Sequence, residues 1–365
     1  MVPEDYKKYQ KINNWKAAIG LQAVDGLKPS EYLYELAGRH IDGELDIDEV
    51  QKFLHSYYEN KGERAETECE ATEADKVSAN IIKVLEDERF DLSADEYRSI
   101  HESLFEGVFQ HAGVYRVMDI IKREWVLQYD TVEYGHYSRI IPELENLMSE
   151  EAQYRYEGKS KEQQLEHFAD FIAKLWLIHP FMEGNTRTTA IFAIKYLHTF
   201  GKDVNNEVFR NYSWFFRNAL ARANYSNSRL GITKDSSHLY NFFHNLLDGT
   251  NIPLRNRDIL ISPPKGWDKR TNADGHNSDV VANVSKKDIS NIQIYKHNQN
   301  LYCIKCEIDH QIQKAIPLSI KDLMTYEKFT GDKDELQNLL MTLAEKYYEA
   351  ELSGNNQVKN NLFKR

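Results

Sequence analysis

The chain has 365 residues, 41% of them hydrophobic, and a formal net charge of −11 at pH 7. That length holds two or three domains, each large enough for its own core. The acidic balance argues against nonspecific DNA or RNA binding, which needs a basic surface.

Low glycine (17) and proline (8) counts suit a mainly helical protein. The start, MVPEDYKKYQ, lacks the apolar core of a signal peptide. No apolar run approaches the roughly 20 residues of a membrane helix. Three cysteines, an odd number, make no disulfide framework. A cytoplasmic location is the expectation.

In chain order, residues 14–25 (NWKAAIGLQAVD) form a short amphipathic helix with Trp15, Ala18, Ile19 and Gln22 at helical spacing. Gly26 closes it and Pro29 prevents its resumption. Ser30, an N-cap residue followed by Glu31, starts a second helix, and Glu44-Leu45-Asp46 starts a third that reaches about Tyr58. Residues 59–72 are charged and poor in large apolar groups, and so read as a linker in which Cys69 is a surface thiol. A helix to Leu85 and another from Ser93 to about Phe109 follow. Residues 117–121 and 125–129 are β-prone runs around Lys122-Arg123-Glu124, which predicts a hairpin.

Leu165, Phe168, Ala169, Ile172, Leu175 and Trp176 repeat at helical spacing, giving a helix with one buried face that Pro180 ends. A second apolar run, residues 191–197, predicts another helix, stopped at Gly201. Between them, HPFMEGNTR (179–187) is a loop feeding a helix start, with a base, an acid, an amide and a cation. Amides at a helix start bind anions, Gly184 lets backbone approach a ligand, and Arg187 can pair with phosphate oxygens. Glu183 could hold a magnesium ion shared with those phosphates, and His179 titrates in the range suited to taking a proton from a hydroxyl. A capped helix–loop–helix corner is the plainer reading of each residue alone; their joint occurrence favours a phosphate site.

Residues 211–249 give two more apolar-faced helices, with Asn224 and Tyr225 between them. Tyr225 reads as core, with stacking on a base as the other reading. Residues 261–284 have a linker's composition. Beyond them, IQIYKHNQNLYCIKCEI predicts two strands around 298–300, followed by helical segments over 319–352. Cys303 and Cys306 would point to opposite faces of a strand, and the second pair a zinc site needs is lacking.

The 179–187 stretch resembles the signature of the Fic (Fido) family, His-Pro-Phe-x-(Asp/Glu)-Gly-Asn-Gly-Arg-x-x-Arg. The resemblance covers residues 14–58 and 73–260. It implies a Fic helical bundle with a small β-hairpin flap, an N-terminal three-helix module and a small α+β C-terminal domain. The boundaries are then 1–58, linker 59–72, catalytic 73–260, linker 261–284 and accessory 285–365. The last segment weakly resembles accessory modules of bacterial mobile-element proteins.

The activity implied is AMP transfer from ATP, with Mg2+, to a hydroxyl of another protein (AMPylation). His179 would be the base, Glu183 the metal ligand and Phe181 the loop anchor. Gly184, Asn185, Thr186 and Arg187 would contact phosphates, and Asn224 the adenine edge. Lys122, Arg123, Glu124, Trp125 and Val126 would form the flap on which an unidentified target protein docks. The implied partners are ATP and that target, with no membrane; the oligomeric state is open.

Thr186 stands where the family has glycine and Ala190 where it has a second arginine. The death-on-curing toxin of the same superfamily also lacks both and transfers phosphate, so kinase-type transfer is the alternative. A silent nucleotide-binding module is the third reading. The first three helices resemble the antitoxin module of some Fic proteins, whose Ser/Thr-x-x-x-Glu-Gly pattern is degraded here to Leu21, Asp25 and Gly26. Asp25 is either an exposed terminal residue or inhibitory. With Ala190 replacing the usual partner, weak autoinhibition is expected.

Overall fold

The computed structural model describes residues 4–59, 66–261, 289–298, 301–308, 311–312, 316–317, 340 and 343–344. The chain divides into two compact units, residues 1–267 and 268–365.

The first unit is helical. Its elements are α1 (Glu4–Gly20), α2 (Glu31–Ile41), α3 (Ile47–Glu59), α4 (Glu66–Glu86), α5 (Ala94–Phe105) and α6 (Ile140–Gln153). They are followed by α7 (Lys161–Ile178), α8 (Asn185–Thr199), α9 (Glu207–Asn224), α10 (Ser237–Asp248) and the short α11 (Asn256–Ile259). A 3-10 turn, Leu21–Asp25, extends α1 and is closed by Gly26 at φ 72°. Ser30 caps α2, its hydroxyl accepting from the Leu33 amide. Ser93 caps α5 and Ser160 caps α7 in the same way, with Gln163 completing a capping box.

Helix α8 is the centre of this unit: every residue from Asn185 to Leu197 is buried. It packs against α4, α5, α7 and the Leu21–Asp25 turn. Even Lys195 is enclosed, its ammonium donating to the carbonyl of Val84 in the last turn of α4 and to that of Asp87 just past its end. The helices before and after the predicted linker share one core, since α1 packs on both α4 and α9. The α1–α9 approach is close. A Cβ on Gly20 would lie 2.3 Å from the Arg210 Cα.

Three sequence expectations are corrected here. Helix α1 begins at Glu4 rather than near Asn14; its first turns are largely exposed, so they carry no buried periodicity to read. Helix α4 begins at Glu66, inside the predicted linker, because Glu and Ala support a helix and neither glycine nor proline interrupts it. The 117–121 and 125–129 runs are not strands. A single antiparallel bridge joins Arg123 to Thr131, and Trp125–Leu127 is a 3-10 turn. Val126 and Leu127 are driven into the core, and Gln128 and Tyr129 take left-handed conformations to reverse the chain.

In the second unit, β1 (Ile289–Asn298) pairs antiparallel with β2 (Leu301–Ile308), as expected around 298–300. Two short strands, β3 (Gln311–Ile312) and β4 (Ile316–Pro317), also pair with β2. Cys306 is buried. The 262–284 linker, the side chains of Cys69 and Cys303, and nearly all of the 319–352 helical stretch lie outside the described residues. The protein is thus mainly helical with a small antiparallel sheet.

Candidate active site

Helix α7 ends where Pro180 forbids the helical conformation in its neighbour. His179 takes a left-handed conformation, φ 49° and ψ 57°, rare for a residue with a Cβ. Arg116 holds this corner. Its Nε donates to the His179 carbonyl at 2.8 Å and its backbone amide to the Pro180 carbonyl at 2.8 Å. The guanidinium also donates to the carbonyls of Met118, Gly135 and Ile178, and its side chain is fully buried.

The loop is then fastened inward. Phe181 is buried and stacks on the His101 ring at 3.7 Å. Asn185 clamps the same residue, accepting from the Phe181 amide at 3.0 Å and donating to its carbonyl at 2.7 Å. The Gly113 amide donates to His101 Nδ1, so His101 carries its proton on Nε2, 3.1 Å from the Glu183 carbonyl. Gly184 sits at φ 77°, and a Cβ there would lie 2.3 Å from the Phe105 ring. The amides of the first turn of α8 then have no intrahelical acceptor.

The His179 imidazole is buried against Tyr134, 4.1 Å away, and Trp176. Nδ1 lies 3.3 Å from the Trp176 carbonyl, which assigns the proton to Nδ1; Nε2 has no hydrogen-bond partner among the described residues. Burial, then the nearby Lys122 charge, holds the imidazole well below its ordinary pKa. It is neutral, with its lone pair on Nε2.

Other expected residues are placed differently. The Asn185 side chain is spent on Phe181, leaving only its backbone amide for an anion. Thr186 accepts from the Trp176 indole at 3.0 Å, so the residue replacing the family's glycine is built into the loop's packing. Ala190 is wholly buried. The Asn224 amide donates to the carbonyls of Ala173 and Leu220, tying α9 to α7. Tyr225 is buried and donates to Asp130, as a core residue. Glu183 is exposed, and its carboxylate pairs with Lys122 at 3.0 Å. Of the five expected flap residues, Lys122 reaches the motif through this pair. Glu124 and Val126 are buried.

Arg187 is buried and enclosed. Nε lies 2.9 Å from Asp25 Oδ2, Nη1 donates to Gln22 at 3.0 Å, and Nη2 pairs with Glu73 at 2.9 Å. The guanidinium also lies over the Phe105 ring at 4.8 Å. Asp25 therefore finds an arginine after all, the first of the motif instead of the missing second. Arg217, on α9, approaches the same carboxylate at 3.9 Å and pairs with Glu124 at 3.3 Å.

Sequence reasoning missed Arg116, His101, Gln22, Glu73 and Arg217. One signal was present: Arg217 precedes Asn224 by seven residues on a helix, which puts both on one face. The others draw their roles from partners far along the chain.

Residues 91–197 match the model of the Fic/DOC family. The chain carries a Fic/DOC family domain over that span. It is similar to the protein adenylyltransferase VbhT of Bartonella schoenbuchensis, 31% identical over 107 residues. That alignment covers 28% of this chain and only 20% of VbhT, so about a fifth of the relative's length is represented.

Among solved structures, the N-terminal Fic domain of a VirB-translocated Bep effector from Bartonella quintana matches at 24% identity and a TM-score of 0.32. The match covers 39% of this chain and 70% of that one. A Fic family protein from Desulfovibrio desulfuricans matches at 14% identity and a TM-score of 0.41, covering 66% of this chain and 65% of that one.

Proposed function

We propose that the protein is a Fic-type protein adenylyltransferase. It would transfer AMP from ATP to a hydroxyl side chain of another protein. The observation that carries this reading is the His179 imidazole, a neutral base with an unpartnered, buried Nε2 on a loop that leads into the first turn of α8. The target oxygen would attack the α-phosphorus while its proton moves to His179 Nε2. The new O–P bond forms as the bond to the bridging oxygen breaks, and pyrophosphate leaves. First-turn amides of α8 and the Arg187 guanidinium would take the developing charge. A phosphate's negative charge would also raise the depressed pKa of His179 as the proton arrives.

Glu183 suits Mg2+, which commonly binds one or two carboxylates together with substrate phosphates. The exposed Glu183 carboxylate is such a donor once Lys122 releases it. Bound there, the ion would neutralise phosphate charge. Exposed apolar side chains of Val114, Val117, Met118 and Ile121 border the loop that carries Lys122, and would meet an apolar part of the target. The target contact would thus be made by this loop's surface and not by a regular strand edge.

The kinase-type alternative rests on Thr186 and Ala190, because the missing arginine leaves the triphosphate's orientation less constrained. Incubation with host lysate and ATP labelled on either the α- or the γ-phosphate separates the two. Protein labelled only from the α position supports AMP transfer; transfer of the γ label to protein overturns it. A protein that binds ATP but transfers neither label would be a silent nucleotide-binding module.

We also infer that Asp25 is inhibitory. It holds Arg187, the cation assigned here to the phosphates, within ion-pairing distance.

A further inference from the structure

Two guanidinium groups converge on one carboxylate. Arg187 Nε lies 2.9 Å from Asp25 Oδ2, and Arg217 Nη1 lies 3.9 Å from Asp25 Oδ1. Among the described residues, the remaining polar contacts of Arg187 are Gln22 and Glu73; those of Arg217 are the Val24 carbonyl and Glu124. Both Nε groups are buried and lack a hydrogen-bond partner among the described residues, the Arg187 Nε–H not being aimed at the carboxylate beside it. Asp25 is the most exposed of the two arginines and this carboxylate, so its side chain can be displaced while the guanidiniums stay in place.

We propose that Arg187 and Arg217 form a two-arginine anion site that takes phosphate groups of a nucleoside polyphosphate, and that the Asp25 carboxylate stands in for that anion. The assignment rests on the nucleotide-transfer reading for its physiological ligand. The charge balance supports it. Two cations here face three carboxylates, of which Glu73 holds only Arg187 and Glu124 only Arg217. Asp25 alone is shared. Removing it leaves each arginine one fixed counter-ion, with both guanidiniums still bordering the space the carboxylate held, which suits an anion with several oxygens. The site also explains how a chain with Ala190 could retain a second phosphate-binding cation. The cation comes from α9 instead of α8.

Displacement of Asp25 by a dianion gains contacts with both guanidiniums, whereas a neutral nucleoside gains none. The test uses the full chain and inorganic pyrophosphate, measured by calorimetry. Asp25→Asn should bind pyrophosphate roughly tenfold or more tightly than the parent, the scale of a charge-assisted contact. Adding Arg217→Gln to Asp25→Asn should weaken binding by roughly tenfold or more, with adenosine affinity unchanged. Equal pyrophosphate affinity in the single and double variants overturns the site, as does no binding by any variant.

Should the double variant fail to fold, arginine Nε–H resonances of Asp25→Asn provide the second measurement. Pyrophosphate should shift both Arg187 and Arg217 signals; a shift of Arg187 alone overturns the proposal. Arg217-dependent pyrophosphate binding without label transfer from ATP sustains the anion site and removes the transferase reading. Undiminished transfer in Arg217→Gln does the reverse.

Discussion

The Asp25 carboxylate lies 2.9 Å from Arg187 Nε, across a gap of more than 160 residues in sequence, and is the more exposed of the two side chains. The family resemblance implies that this acid faces position 190, which holds alanine, and so implies a lost latch. The geometry replaces that pair with another.

Asp25→Ala should therefore raise AMP transfer, measured with α-labelled ATP, by about ten- to a hundredfold, the range of one charge-assisted contact. The lower end is expected, since Glu73 still holds Arg187. A change below about threefold would show that Asp25 does not restrain the site.

His179→Ala should reduce transfer by at least about a hundredfold, the usual loss for a general base, while ATP affinity changes little. Its Nε2 has no structural partner to lose. Retention of more than about a hundredth of the rate removes His179 from the role of base.

Gly184→Ala and Gly201→Ala separate space from backbone conformation. Both residues have positive φ, 77° and 65°, but only at Gly184 would a Cβ collide with a neighbour, the Phe105 ring. Gly201→Ala should cost about 1–2 kcal/mol from conformation alone. Gly184→Ala should cost about 1–3 kcal/mol more, from overpacking. Equal midpoints in urea unfolding for the two variants would contradict the placement of Phe105.

Stability should fall on acidification. Burial pushes His40 down to about 4 and His101 to about 3. The unfolded chain binds these protons from about pH 6.5 downward while the folded chain does not. Stability is thus full above that pH and is lost progressively as pH falls towards 4 and 3. Each group contributes on the order of 3–5 kcal/mol at full extent. Both rings also use a nitrogen as acceptor, from the Trp15 indole and the Gly113 amide respectively. Chemical denaturation at pH 7.5 and pH 5 checks this; replacing His40 with Gln should remove about half of the difference, His101 supplying the rest.

Lys122→Ala frees the Glu183 carboxylate from its ion pair. The Mg2+ concentration for half-maximal ATP binding should fall a few-fold, since an exposed pair contributes about 1 kcal/mol or less. An unchanged Mg2+ requirement would argue that Glu183 is not the ligand.

What was legible in the sequence is what local chemistry decides. The α7–loop–α8 corner follows from apolar spacing, Pro180 and the glycine at 184, and the caps at Ser30 and Ser93 follow from residue type. The 117–129 segment was misread because β-prone residues also suit burial in a turn. Trp125–Leu127 takes the second course once core space is available beneath it. The residues around Arg187 were hidden for another reason. Whether a charge is buried depends on partners, and Gln22, Asp25 and Glu73 reach it from separate elements.

The Leu21–Asp25 turn sends Gln22 and Asp25 to Arg187 and the Val24 carbonyl to Arg217, while Leu21 and Val24 are buried beneath it. Because that turn shares the core, the inhibitory acid would act at a fixed local concentration and could not be diluted away. A nucleotide entering the site would compete with a tethered rival. If the closed form holds about 90–99% of molecules, apparent affinity drops by about ten- to a hundredfold relative to the open site. The chain would then respond to nucleotide over a higher concentration range than its pocket alone would set. One carboxylate would tune that threshold.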